Sequence, residues 1–535
     1  MYDIFQSGFA HDIFKQKYAL TAEETWPELC KRVVDNVARP YLDSHTCNKI
    51  QMYMVSRKFI PAGRFLYSAG RPLHMCNNCF TFRAEDSREG WSKLLHNVSL
   101  SLLCGGGIGV DYSAIRENGA LIKGNGSKCT GPLSLMSMIN EIARGVMSGG
   151  QRRSACYASL NWNHKDVFSF INCKNHSPEL KKLKEKDFNF PLSMELTNIS
   201  VNFDANFKVA YESSDEHAKQ VWNEVGKQAF QFAEPGWSFN IKDPLQSLRN
   251  ACAEYCSSFS SDSCDLGTVF MSRCNSKEEF EDVCTVGAMF LVAGRKYTQV
   301  PYAEVREVFE EHPSIGLGIG GITEWLIMNR LPYKPSPLYA SWLESYKNCA
   351  IKGATLGANQ CGMKVPERTR AIAPNGTIGI LAETSTGIEP IFAKAYKRRY
   401  FVDGSFKFQY VIDGAVRRLM DDYAIPEECI FDSYDLSFKD RVEFQAFTQQ
   451  YVDMGISSTC NLPTWGSKEN NESNIQEKLD ILYANIDNLR GFTVYPDGCR
   501  GGQPLTRVSL SLAKSKEGNV YEDKIHECTN GICGI

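Results

Sequence analysis

The sequence predicts an α/β protein, on three observations. From about residue 61 onward, short β-branched or apolar runs alternate with amphipathic helical stretches. Glycine-rich turns punctuate that alternation, as in LCGGGIGVDYS, GLGIGGITEWL and NGTIGIL. Strands that switch with helices in this way build a sheet that is at least partly parallel. The chain also has 535 residues, 43% of them hydrophobic, enough for three or four average domains or for one large α/β barrel with insertions.

Taken in order, residues 1–60 read as a short helical region. In TAEETWPELCKRVVDNVARPYL, Thr21 is the expected N-cap and Glu24 its capping-box partner. Residues 61–502 form the α/β body. Within it, 175–188 (HSPELKKLKEKDFN) is a charged surface stretch, and 464–478 is a polar loop leading into a helix, LDILYANIDNLRG. Past Gly502 the periodicity fades, so 503–535 is expected to be a flexible tail that ends in CTNGIC.

Composition narrows the function. A formal net charge of -3 leaves no basic excess to attract nucleic acid. The N-terminus lacks the pattern of a signal peptide, and runs such as VGAMFLVAG are too short to span a bilayer. The expected setting is therefore cytoplasmic, with no membrane partner. There the 20 cysteines do not make a structural disulfide framework. Cys76 and Cys79 have the spacing of half a zinc site, but no second pair sits at zinc-ribbon distance, so no metal is assigned.

Four stretches carry chemistry. NACAE places Cys252 two residues from both Asn250 and Glu254; on an extended backbone, alternation would put all three on one side. GGGIGV at 105–110 lacks the spacing of a dinucleotide fingerprint and reads as a tight turn at a strand edge. SGGQRRSA at 148–155 joins two glycines to two arginines, as a loop meeting an anionic nucleotide would, or as a plain surface loop would. APNGTIGI at 373–380 is a small-residue turn into a helix whose amides could cradle a phosphate; it has no Walker lysine.

In this order the pieces resemble the catalytic subunit of ribonucleotide reductase. NACAE resembles the family's Asn-x-Cys-x-Glu loop. DSCDLG and NNCF resemble the segments that hold the two reducing cysteines, here Cys264 and Cys79, with Cys76 as the competitor for the second; Asn78 falls in the substrate site beside them. EDS just after NNCF resembles the start of an effector site. PNGTIGILAETSTGIEP resembles the substrate-phosphate loop, which places Pro374, Asn375, Gly376, Thr377 and Ile378 on the substrate. GGQRRSA resembles the loop that carries effector information, and Cys528-x4-Cys533 resembles the C-terminal thiol shuttle.

The resemblance implies a ten-stranded α/β barrel with a central finger loop carrying Cys252. It also implies roles. Cys252 would form a thiyl radical and take a hydrogen atom from C3′ of the ribose. Glu254 would accept the 3′-hydroxyl proton, and Asn250 would hold the sugar. Cys79 and Cys264 would supply the proton and two electrons that remove the 2′-hydroxyl. Cys528 and Cys533 would then reduce that pair again, recharged by an external thiol reductant of the thioredoxin or glutaredoxin kind.

For the radical source, ECTNGICGI lacks the glycyl-radical motif, and Tyr495 is preceded by Val494 instead of by a second tyrosine. SSTCNLP and TVYPDGCRGGQPL resemble the adenosylcobalamin-dependent class, so adenosylcobalamin is the expected cofactor. The alternative is a compact class I subunit fed by a separate radical-generating subunit. About 60 residues are too few for a complete ATP cone as well as the helical region, so no overall ATP/dATP switch is expected. Asp86, Lys123 and Arg152 would bind dNTP or ATP effectors that select the substrate, in a homodimer. Two readings from other classes compete: a cysteine-rich zinc or nucleic-acid-binding protein, and a non-radical thiol oxidoreductase that gives Asn250 and Glu254 no task. Whether the substrate is a diphosphate or a triphosphate is left open.

Overall fold

The computed structural model describes residues 5, 8–124, 126–148, 152–186, 190–402, 405–499 and 505–522. Three helices lead: α1 (Gly8–Lys17), α2 (Trp26–Val37) and α3 (Ser44–Val55). In α2, Trp26, Leu29, Cys30, Val33, Val34 and Val37 recur at helical spacing and are all buried. Trp26 Nε1 donates to the Met54 carbonyl at 3.2 Å, tying α2 to α3. The cap differs from the expected one. Thr25 caps α2, and the Glu28 carboxylate accepts from the Thr25 N–H and hydroxyl, both at 2.8 Å. Pro27 at the helix start favours that boundary, and Glu24 instead pairs with Arg32 at 2.7 Å.

The strands of the body are β1 (Phe59–Pro61), β2 (Cys79–Arg83), β3 (Gly107–Asp111), β4 (Met147–Ser148), β5 (Arg152–Arg153), β6 (Cys156–Asn161), β7 (Thr197–Asp204), β8 (Gly236–Asn240), β9 (Leu248–Arg249) and β10 (Cys256–Ser257). There follow β11 (Asp262–Ser263), β12 (Leu266–Phe270), β13 (Ser314–Gly320), β14 (Arg368–Arg370), β15 (Ala395–Val402), β16 (Ser405–Ile412), β17 (Thr459–Leu462), β18 (Gly491–Pro496), β19 (Leu505–Arg507) and β20 (Val520–Glu522).

Two parallel groups dominate. The first runs β2-β3-β6-β7-β8, and the second is β12-β13-β14, to which the parallel pair β17-β18 is linked by an isolated parallel bridge, Ile372–Ile456. They meet antiparallel at two seams: β18 pairs with β8, and β11 pairs with β2. Only Cys264 and Asp265 separate β11 from β12, so one extended segment serves both groups. Long helices, among them Arg88–Leu103, Lys277–Tyr297 and Pro337–Cys361, alternate with the strands, as parallel connections require. This is the α/β class expected.

The hairpin β9–β10 belongs to neither group. It pairs only with itself and lies against β3. The C-terminal part departs from expectation. Residues 505–522 fall within the expected flexible tail, 503–535. Instead β19 pairs with β15, β20 pairs with β16, and Leu510 and Ala513 of the intervening helix are buried with Ile412, Val416 and Leu419. The unpaired edges of the β15–β16 hairpin supply the hydrogen bonds that this polar, aperiodic segment cannot make within itself.

Candidate active site

Asn250, Cys252 and Glu254 sit on the turn that joins β9 to β10. The backbone is not extended there. The Ala253 N–H donates to the Asn250 carbonyl at 3.0 Å, and Ala253 has φ +65°. An L-residue avoids this left-handed region, at a cost of roughly 1 kcal/mol. The segment that leads into β17 holds it in place: Gly455 N–H donates to the Glu254 carbonyl at 2.7 Å. Closing the turn brings the Asn250 amide to 2.8 Å from Glu254 Oε1. Both side chains are buried, at 0% and 2% exposure, while Cys252 at the tip is exposed. The three residues are thus gathered by a tight turn and not by strand alternation.

Three glycines make room for this turn. A Cβ on Gly109 would collide with the Arg249 carbonyl, and one on Gly107 would come within 2.9 Å of both Ala251 Cβ and Cys79 Sγ. A Cβ on Gly455 would meet the Ala253 carbonyl at 2.7 Å. GGGIGV is therefore only in part a turn: Gly105 has φ +82°, but Gly107 and Gly109 are strand residues that let the hairpin approach.

Burial, and secondarily the Cys79 thiol, push the Glu254 carboxyl up to about 8; the Asn250 amide opposes the rise. Its Oε2 is buried with no hydrogen-bond partner among the described residues, a position where a bound hydroxyl would be accepted.

Beside it lie the two reducing candidates, 185 residues apart in sequence. The antiparallel seam joins them. Cys264 N–H donates to the Cys79 carbonyl at 3.2 Å, the Asn78 N–H donates to the Cys264 carbonyl at 3.3 Å, and Cys264 Sγ lies 3.6 Å from the Cys79 carbonyl. Both cysteines are buried and neither is in a disulfide. Burial first, and then the Cys79 thiol, raise the Cys264 thiol well above its ordinary range. Asn250 Nδ2 reaches Cys264 Sγ at 3.9 Å, so the turn and the thiol pair share one site. Cys76 is turned elsewhere: its N–H meets Thr298 Oγ1 at 2.8 Å and its thiol faces the His74 carbonyl. Among the described residues, no three His, Cys, Asp or Glu side chains gather as metal ligands.

The 373–380 segment reaches the same place through β14. Ile372 N–H donates to the Gly455 carbonyl at 3.1 Å, so Gly455 is bonded to the catalytic turn on one side and to this loop on the other. Asn375, at φ +56°, caps the short helix Gly376–Ala382. Its Nδ2 is buried without a hydrogen-bond partner among the described residues. Gly376 is exposed, Pro374 and Thr377 are half-buried, and Ile378 packs inward. At the helix's other end, Arg57 pairs with Glu383 at 2.7 Å.

Comparison with known proteins bears directly on this arrangement. The family description "Ribonucleotide reductase, barrel domain" matches residues 77–201, 193–337 and 360–495, and "Ribonucleotide reductase, all-alpha domain" matches 4–74. The chain belongs to the ribonucleotide reductase family. Similar relatives include a vitamin B12-dependent ribonucleoside-diphosphate reductase of Thermoplasma acidophilum, 26% identical over 89% of this chain and 68% of that protein. One of Mycobacterium tuberculosis is 23% identical over 93% of this chain and 80% of its own length. A putative adenosylcobalamin-dependent ribonucleoside-triphosphate reductase of Mycobacterium phage D29 is 22% identical over 85% of this chain and 76% of that protein. Among solved structures, the Actinobacillus ureae class Id ribonucleotide reductase alpha subunit has a TM-score of 0.74, covers 93% of this chain and 99% of its own, and is 14% identical; it shares the fold.

The remaining site residues of this reductase fall outside the catalytic cluster. Asp86 accepts from Arg116 Nε at 2.7 Å, and Arg116 Nη1 donates to the Leu121 carbonyl at 3.2 Å. Leu121 opens a small hairpin, bridged to Lys128, that carries exposed Lys123. Arg116, which the sequence reading missed, is thus the link between two of the three effector candidates. Arg152 lies on β5, its backbone paired with Ser148 of β4. Cys528 and Cys533 lie outside the described residues. Among the described residues, no helix is long and apolar enough to cross a membrane.

Proposed function

We propose that this reductase converts ribonucleoside di- or triphosphates to 2′-deoxyribonucleotides by thiyl-radical chemistry at Cys252, and that it depends on adenosylcobalamin. The observation that carries the proposal is the convergence of an exposed Cys252, a buried Asn250–Glu254 pair with one unpartnered carboxyl oxygen, and two adjacent buried thiols that form no disulfide. A zinc protein or a simple dithiol oxidoreductase has no use for that combination.

The chain's own groups divide the work. The Cys252 sulfur takes a hydrogen atom from C3′ and later returns it. Glu254 accepts the 3′-hydroxyl proton through Oε2, with Asn250 fixing Oε1. The 2′-hydroxyl leaves as water with a proton from the Cys79–Cys264 pair. The pair supplies two electrons and ends as a disulfide, so ribose and two thiols become deoxyribose, water and a disulfide. Burial keeps the Cys264 thiol protonated until it is needed. The loop 373–378, held through Gly455, receives the substrate phosphates at Asn375, Gly376 and Thr377. Asn78 lines the sugar side, and Asp86, Lys123 and Arg152 take a dNTP or ATP effector in a homodimer.

Adenosylcobalamin, when bound, supplies the one-electron chemistry that generates the radical on sulfur. The site fits it in one respect: Cys252 is open at the tip of its turn while its functional neighbours are enclosed. Cys252 is the residue that would face the group. The segments that carry the class resemblance pair as β17 and β18, next to that turn through Gly455. The B12-dependent and adenosylcobalamin-dependent relatives point the same way, and buried Val494 stands where a tyrosine-pair relay needs its second ring. A closed ten-stranded barrel is supported by the two antiparallel seams and by the Ile372–Ile456 bridge between β14 and β17. Cys528 and Cys533 complete the reading as the thiol shuttle.

The test is anaerobic reduction of CDP and of CTP by the purified chain with dithiothreitol, with and without adenosylcobalamin, across a dNTP/ATP panel. Turnover that requires adenosylcobalamin is expected, and the better substrate identifies the phosphate state. Folded protein inactive in every combination, then active with a radical-generating subunit, would replace the cobalamin reading by the class I one.

A further inference from the structure

Beneath the catalytic turn lies a dry, charged cluster that the reaction itself does not use. At its centre is Asp262 of β11, 0% exposed and two residues before Cys264. Its carboxylate accepts five hydrogen bonds. Oδ2 takes the Tyr255 hydroxyl at 3.1 Å, the Ser257 hydroxyl at 2.7 Å and Arg368 Nη2 at 3.2 Å. Oδ1 takes the Ser263 N–H at 2.8 Å and Arg295 Nη2 at 3.4 Å. A carboxylate this enclosed is stable only because so many donors meet it.

The donors come from distinct parts of the fold. Tyr255 and Ser257 belong to the catalytic hairpin, Arg368 to β14, which leads into the phosphate loop, and Arg295 to the helix Lys277–Tyr297. Arg368 also holds Ser314 Oγ at 2.9 Å and the Cys256 carbonyl. Tyr255 acts at both of its ends: its hydroxyl is on Asp262, and its backbone N–H donates to Asn250 Oδ1 at 3.1 Å. That second bond orients the Asn250 amide, whose Nδ2 is then free to face only Glu254 Oε1 at 2.8 Å and Cys264 Sγ at 3.9 Å.

We propose that Asp262 is a positioning residue: it anchors the hairpin through Tyr255 and Ser257, and the strand of Cys264 through its own backbone. It thereby sets the Asn250 amide against Glu254 and keeps the proton-accepting and thiol halves of the site in register. The inference rests on the reductase reading. It adds a residue that touches neither substrate nor the reacting atoms.

The test is the pH profile of kcat/KM for Tyr255→Phe, which keeps the ring and removes only the hydroxyl link. Asp262→Asn and the double variant accompany it. The titratable groups that face Glu254 are the Cys79 and Cys264 thiols; Arg368 binds Asp262, and Arg295 binds Asp262 and Asp265. Loosening Asn250 removes the hydrogen bond that favours the ionised Glu254. The ascending limb of Tyr255→Phe should therefore move up by about one pH unit, giving about a tenfold loss at pH 7. The double variant should be no worse than Asp262→Asn, because both act on one link. A folded Tyr255→Phe with the wild-type limb overturns the inference, and so does an activity loss equal at every pH. A wild-type chain that reduces no ribonucleotide under any condition would overturn the reading and the inference together; wild-type turnover beside an unmoved limb overturns the inference alone.

Discussion

Glu254 shows how burial gives one side chain two measurable consequences. Its carboxyl is raised from 4.5 to about 8 in the folded protein. A general base must be ionised, so kcat/KM of the wild type is expected to rise with pH along a limb near 8; stopped assays from pH 6 to 9 check this, and Glu254→Gln should abolish the limb together with the activity. Stability runs the other way. Below the unfolded value both states hold the proton. Between the two values the unfolded chain releases it while the folded chain keeps it, so stability falls as pH rises and the loss is complete above the folded value. Glu254→Gln should therefore be more stable than wild type at pH 8.5 and equal to it at pH 4, read from urea midpoints. Cys252→Ser should stop deoxynucleotide formation even with dithiothreitol, while Cys528→Ser/Cys533→Ser should lose only turnover driven by a protein reductant.

At the scale of elements, the hairpin depends on glycines in strands it does not pair with. Gly109→Ala would put a methyl group into the Arg249 carbonyl, and backbone cannot step aside as a flexible side chain can. The expected cost is about 1–3 kcal/mol of stability, and displacement of the turn by even an ångström is expected to lower kcat about 100-fold. Denaturation and steady-state assays separate the two. The helix behind the phosphate loop has a corresponding support. Arg57, just past α3, pairs with Glu383, whose side chain is 2% exposed, and Arg273 adds a longer contact at 3.6 Å. Arg57→Ala leaves that carboxylate underpaired and should cost about 3–5 kcal/mol, with a raised KM as Asn375 and Gly376 lose their fixed footing. The helical N-terminal region thereby contributes to substrate binding without touching substrate.

At the scale of the whole molecule, two parallel groups of strands meet antiparallel, and the site lies where a seam, a hairpin and a loop converge. β11 and β12 run on from one group to the other with Cys264 between them. The Cys79–Cys264 juxtaposition is thus a property of the seam. Chains that bring residues so far apart together bear a loop-closure cost that local contacts cannot offset. Disrupting the seam should therefore separate the thiols before it unfolds either group. Ser261→Pro, which removes the N–H that donates to the Thr81 carbonyl at 2.8 Å just before β11, is expected to slow disulfide formation between Cys79 and Cys264 in single-turnover thiol trapping while most of the helical signal in circular dichroism persists.

The amino-acid sequence by itself determined the α/β class, because the switch between periods of two and 3.6 is a local signal. It also determined the reactive residue types: NACAE, NNCF, DSCDLG and APNGTIGI each carry their chemistry within a few positions. It misplaced what depends on distant partners. Thr21 reads as the cap, but Glu24 lies on Arg32 and Thr25 caps the helix. NACAE looked extended until Ala253 was seen in a left-handed turn closed on Asn250, with Gly455 bonded to the next carbonyl, that of Glu254. GGGIGV looked like a turn until the hairpin was seen lying on Gly107 and Gly109, and residues 505–522 looked free until the edges of β15 and β16 were seen to take them. The Asp86–Arg116 link and the Asp262 cluster were likewise visible only in the tertiary structure. The reason is physical: propensity and periodicity are fixed by neighbours along the chain, whereas enclosure, hydrogen-bond partners and clearance are fixed by whatever the closed fold brings alongside.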